Sequence, residues 1–233
     1  MGGGMSIEMW LADRDDAGVA SELQSRVFEE FGREPALNGA NVLVDVRDRV
    51  VTLSGAVRSY PHKVAAGRAA RRVRGVRKVH NDIAVVLQPA QERSDEELVQ
   101  AVTCVSDADA LVPRGKVVVG IASGWLTLTG VVDYYAERLA AEDAVQRLVG
   151  VKGVTNLIKV QPPYAPSDAT RRVMEALRRR PLLWRDRIKV EVRGGSALLR
   201  GRVRTLAERD EAVAAAAGTP GVIRVRDDLK IAS

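Results

Sequence analysis

Few side chains here could carry acid–base, nucleophilic or metal chemistry. The only histidines are His62 and His80, and the only thiol is Cys104. Catalysis or metal binding needs such groups to converge on one point. Neither histidine recurs in the internal repeats described below: Glu137 and Glu208 stand opposite His62, and Thr155 and Arg226 opposite His80. Cys104 lies beside Val102 and Val105 on a helical pattern and reads as a small core residue. No P-loop and no G-x-G-x-x-G is present. No catalytic residue, metal ligand or cofactor is expected. What remains is surface chemistry. Tyr60 and Tyr135, with Tyr134 adjoining, stand where the chain enters a helix, and Lys63, Arg68, Arg71, Arg72 and Arg74 follow Tyr60. An amphipathic ring beside cations suits an anionic interface, so these eight residues are the candidate lipid contacts. Arg178, Arg179 and Arg180 end a helix, where cations complement the helix dipole, and Trp184 beside them reads as core.

The elements that must position these residues form one pattern, written three times. In Val117 to Val160, Val117, Val119 and Ile121 alternate, Ser123-Gly124 can turn the chain, and Leu126 and Leu128 alternate again. Two period-2 runs around a short turn predict a β-hairpin. Ala141, Ala144, Val145 and Leu148 then share one helix face, and Val154, Ile158 and Val160 form a last strand. Gly55, Gly130 and Gly201 end the three hairpins; Gly75, Gly150 and Gly221 follow each by twenty residues; Asn81, Asn156 and Asp227 follow those by six. A helix precedes each hairpin. In the first copy it runs over 17–32, with Val19, Leu23, Val27 and Phe31 four apart; Ser94 with Glu97 makes a capping box for the second, and Ser167 caps a third stopped by Pro181. The predicted fold is α+β: three tandem α-β-β-α-β repeats, each a three-stranded mixed sheet with two helices on one face. The predicted boundaries are a disordered tail over 1–16 and repeats over 17–90, 91–161 and 162–233, joined by Pro-bearing spacers at Gln88-Pro89 and Gln161-Pro162-Pro163. Trp125 points away from the Leu126 and Leu128 face and is expected to pack against a neighbouring repeat.

Charge is uneven. The first repeat carries 12 bases and 7 acids, the second 7 and 10, the third 16 and 9. The outer repeats are therefore the candidates for an anionic surface. Nucleic-acid binding is disfavoured, because no basic–aromatic platform repeats on a sheet. No apolar run approaches the ~20 residues that span a bilayer. Met1-Gly2 with Ser6 fits a myristoylation pattern, but three glycines in a row read as a flexible start, and Met5 could be the initiator. No signal peptide is visible.

The hairpin ending GWLTLTGVV, the helix YYAERLAAEDAVQRL and the closing GVKGVTNLIKV resemble the BON domain of bacterial osmotically inducible and nodulation proteins. The first copy, VVTLSGAVRSYPHKVAAGRAARRVRGVRKVHNDIAVV, and the third, ALLRGRVRTLAERDEAVAAAAGTPGVIRVRDDLKI, resemble it too. The resemblance implies a non-enzymatic, stress-associated module that binds phospholipid or, in one branch, potassium; docking to a protein partner is the alternative to a phospholipid surface. Many family members are periplasmic. Without a visible signal, this chain is expected in the cytoplasm, at the inner face of the membrane if it meets lipid. Oligomeric state stays open.

Overall fold

The computed structural model describes residues 7–161, 168–180 and 188–232. The first repeat consists of α1 (Ile7–Gly32), β1 (Asn41–Arg47), β2 (Val50–Val57), α2 (Tyr60–Arg72), β3 (Lys78–Asn81) and β4 (Ala84–Val85). The second has α3 (Asp95–Ala108), β5 (Val117–Ala122), β6 (Trp125–Val132), α4 (Tyr135–Gln146), β7 (Gly153–Asn156) and β8 (Lys159–Val160). The third has α5 (Ala169–Arg178), β9 (Ile188–Arg193), β10 (Ser196–Val203), α6 (Leu206–Ala217) and β11 (Arg224–Ile231). In each repeat the hairpin is antiparallel and the closing strand pairs parallel to the second hairpin strand. The chain is thus α+β, with three repeats of one topology. In the first two repeats the closing strand breaks after Asn81 and Asn156 and resumes in the same register; in the third it is continuous.

Local sequence explains the elements. Each hairpin closes through two residues in the left-handed region: Asp48 and Arg49, Ser123 and Gly124, Gly194 and Gly195. Two such residues make the type I′ turn whose twist matches the strands. In the second repeat the Asp95 carboxylate accepts from the N–H of Ser123 at 2.9 Å and of Gly124 at 3.0 Å, tying the start of α3 to this turn. The capping box forms: Ser94 Oγ accepts from Glu97 N–H at 3.2 Å, and Glu97 accepts from Ser94 N–H at 2.8 Å. Residues 7–16, read as tail, belong to α1; no proline or glycine interrupts IEMWLADRDD, so nothing stops the helix from extending. Met1 to Ser6, Ser167, Pro181, Trp184 and the Pro162-Pro163 spacer lie outside the described residues.

The helices cover one face of each sheet. In the second repeat Leu126, Leu128 and Val132 of β6 bury fully against Leu98 of α3 and Ala141 and Val145 of α4. At roughly 2 kcal/mol per large aliphatic side chain, this alternation decides which face is inside. Gly130 sits in β6 at φ +136°, and a Cβ there would lie 2.0 Å from the carbonyl oxygen of Lys116. The two strands approach so closely that only glycine fits.

Candidate anion-docking surface

The recurring Asn81, Asn156 and Asp227 tie each crossover helix to the closing strand. Asn156 donates to the Arg138 carbonyl at 3.2 Å and to Glu142 at 2.9 Å, while its own oxygen accepts from Ile158 N–H at 3.1 Å. Asn81 donates to the Lys63 carbonyl at 2.8 Å. Asp227 instead pairs with Arg209 at 2.5 Å and accepts from Leu229 N–H. These are structural groups, and their contacts hold the start of each helix where Tyr60, Tyr135 and Leu206 stand.

The predicted basic face on α2 is largely engaged. Arg72 reaches Glu30 at 3.0 Å and Glu34 at 3.2 Å, both on or just after α1. Burial pushes the Glu30 carboxyl up, but the hydrogen bonds and charge of Arg72 and Arg33 outweigh it and hold it below the usual range. Arg71 pairs with Asp210 of the third repeat at 2.7 Å, and Arg68 faces Asp143 of the second at 3.8 Å. Lys63 is half-buried on α2, whereas Arg74 is exposed beyond the helix end. Tyr60 is half-buried and packs against the core of the second repeat, its hydroxyl facing the backbone of Val154. Burial disfavours the charged phenolate and raises its pKa above the ordinary 10.0. Tyr134 precedes α4, its N–H donating to Glu137 at 3.0 Å; Tyr135 opens α4 with the Arg138 guanidinium 5.8 Å above its ring. Thus α2 faces the other two repeats. Its period-3.6 pattern could not reveal that, because a cation facing solvent and one facing an acid on another repeat read alike.

Two further expectations are corrected. Cys104 is exposed, since Leu98 and Val102 alone turn that helix's buried face inward. Trp125 packs within its own sheet: its ring lies over Gly153 on β7, and Nε1 donates to Thr155 at 2.9 Å, with 48% of the residue exposed. Gly153 leaves the space that the indole fills.

The charged surface lies elsewhere, on the helix-free face of the third sheet. Ala197, Leu199 and Val203 of β10 point to the core. Their alternates and the outward residues of β9 and β11 form rows across the strands: Arg193, Ser196 and Arg224; Glu191, Leu198 and Arg226; Lys189, Arg200 and Asp228; Arg202 and Lys230. Seven basic and two acidic side chains share this face, a net charge of +5. Arg193 pairs with Glu191, and Arg200 and Arg226 approach Asp228 at 3.6 and 3.8 Å. Lys189, Arg202, Arg224 and Lys230 pair with no acid among the described residues. The corresponding face of the second sheet shows Val118, Gly120, Ala122, Trp125, Thr127, Thr129 and Val131, without charge on β5 or β6. The signal for the basic face was in the sequence: seven of the eleven outward, alternate positions of β9, β10 and β11 are Lys or Arg. It was hidden because strand alternation was used to find the core and not to read the opposite face.

Among the described residues no group of three His, Cys, Asp or Glu could hold a metal ion, and no helix is long and apolar enough to cross a membrane. The chain is 28% identical over 153 residues to Osmotically-inducible protein Y of Escherichia coli, covering 63% of this chain and 73% of that protein. The C-terminal domain of CdsD, a structural protein of the type III secretion system of Chlamydia trachomatis, aligns over 91% of this chain and 98% of its own, at 12% identity and a TM-score of 0.24. The BON domain model matches residues 20–86, 94–162 and 167–233, one match per structural repeat. With the α-β-β-α-β unit present three times and nearly every described element inside a match, the chain belongs to the BON domain family.

Proposed function

We propose that this chain is a non-enzymatic, osmotic-stress-associated docking protein, held on an acidic phospholipid surface by the open sheet face of its third repeat. The carrying observation is the set of four bases unpaired among the described residues, Lys189, Arg202, Arg224 and Lys230, on a sheet face with a net charge of +5. A flat, cation-rich face suits a flat array of headgroups. Each surface base contributes ~1 kcal/mol toward an anionic membrane. The face carries no aromatic side chain on β9, β10 or β11, so it lacks the stacking platform with which sheets hold single-stranded nucleic acid. The α2 residues contribute less to such a surface, because Arg68, Arg71 and Arg72 already face acids. Relationship to an osmotically inducible protein supports the stress association.

The test is sedimentation of the full chain with vesicles of phosphatidylglycerol in phosphatidylcholine, against phosphatidylcholine alone. Binding should require the anionic lipid and weaken as salt shortens the Debye length from ~10 Å at 0.1 M to ~3 Å at 1 M. Replacing Arg202, Arg224 and Lys230 together by Gln should remove ~3 kcal/mol, about a hundredfold in affinity. Retained binding in that variant, or equal binding to neutral vesicles, refutes the proposal.

A further inference from the structure

The three repeats of one chain touch through a contact that is used twice and left open once. Leu206, the first residue of α6 in the third repeat, is 4% exposed and buried in the core cluster of the first repeat. Tyr60, at the equivalent position of the first repeat, packs against the core cluster of the second. Four residues on, the pairing continues. Asp210 of the third repeat meets Arg71 of the first at 2.7 Å. Its equivalent in the first repeat, Val64, lines the cleft against Gln146 of the second, and Gln146 is the counterpart of Arg71. The same two helix positions therefore give, and the same position of the next crossover helix receives. The order runs from third repeat to first to second.

In the second repeat the giving positions are Tyr135 and Leu139, one turn apart on α4. Tyr135 packs into none of the three cores, and Leu139 is 38% exposed. In the third repeat, too, no described side chain of another repeat joins the core cluster beside the receiving positions. They are Val213, Ala214 and Ala217 on α6 and Val225 on β11, all partly exposed. The first two repeats have Gly67, Arg68 and Arg71, and Glu142, Asp143 and Gln146, at the corresponding helix positions. Where the giver is Asp210 the receiver is Arg71; where the giver is Leu139 the receiver is alanine. An apolar giver matched to an apolar receiver is the complementarity a joint between them needs.

We infer that Tyr135 and Leu139 of one copy dock on Val213, Ala217 and Val225 of a second copy's third repeat, continuing the repeat-to-repeat contact from chain to chain. The occupant is a second copy because the surface it fits is present in this chain and the contact type is already made twice within it. Such a contact is heterologous: it uses two different patches, and it builds a ring if it closes or an open chain if it does not. The Val225 backbone lies at the free edge of β11, as Val154 lies at the free edge of β7, so it offers the Tyr135 hydroxyl the partner that Val154 offers Tyr60.

The test places p-benzoylphenylalanine at position 135 of the full chain and irradiates a mixture of isotopically light and heavy protein. Cross-links between light and heavy chains that map to residues 213–225 support the inference. Cross-links only within one chain, to other segments, or to none overturn it. In parallel, sedimentation velocity over a concentration series should show mass growing beyond the monomer, and Tyr135→Asp or, separately, Leu139→Asp should return it to the monomer. Leu139→Asp changes an exposed side chain, so it serves where Tyr135→Asp fails to fold. A chain monomeric throughout, or association unchanged in Leu139→Asp, overturns the inference.

Discussion

Gly130→Ala should unfold the second repeat at temperatures where the parent is intact. Gly130 has φ +136°, which L side chains rarely adopt, at a cost of about 1–3 kcal/mol. The added Cβ would also lie 2.0 Å from Lys116 O, 3.1 Å from its carbonyl carbon and 3.2 Å from Val117 Cα. These are backbone atoms and cannot rotate away. The start of β5 must move, and the Val117–Gly130 pairing loosens at about 1 kcal/mol per hydrogen bond lost. With one bond lost the sum is about 2–4 kcal/mol. For a unit of this size that lowers the midpoint by at least about 8 °C, at ~4–8 °C per kcal/mol. The control lies in the same hairpin: at Gly120 a Cβ meets only Thr127 O at 3.9 Å, so Gly120→Ala should stay within about 0.5 kcal/mol. The assay is fluorescence of Trp125, bonded to Thr155 across β6 and β7, in a chain with Trp10 and Trp184 replaced by Phe. A Gly130→Ala midpoint that matches Gly120→Ala would refute the close-approach argument.

Three further outcomes are expected. Tyr60 should ionise above the ordinary 10.0 in an absorbance titration near 295 nm, and Tyr60→Phe should delete that late step; because its folded value is raised, the neutral phenol stabilises the junction below pH ~10, and this stability is lost as pH rises through the folded value. Arg72→Gln should destabilise the first repeat by about 1 kcal/mol, while Arg74→Gln, at an exposed position, should be neutral in denaturant titrations; because Glu30 is held below its ordinary value, the contribution of the Arg72–Glu30 pair is present above 4.5 and is lost as pH falls through the folded value. Asn156→Ala removes hydrogen bonds to Arg138, Glu142 and Ile158 and should cost about 2–3 kcal/mol, read as a lower midpoint for the Trp125 signal alone.

The repeat, the hairpins and the helix faces were legible in the sequence because each rests on local order. Alternation at Leu126 and Leu128 or a capping box at Ser94 and Glu97 depends on residues a few positions apart, and backbone geometry turns that spacing into a face or a cap. The same logic contained the basic face of the third sheet: once Ala197, Leu199 and Val203 point inward, Arg200 and Arg202 must point out. Tertiary structure alone decided what the helix surfaces meet. Arg71 meets Asp210 across 139 positions, and Leu206 buries itself in another repeat's core. Nothing in the spacing of α2 distinguishes a cation awaiting a headgroup from one already facing a carboxylate. That distinction depends on how the repeats pack together, and a periodic pattern within one repeat carries no information about it.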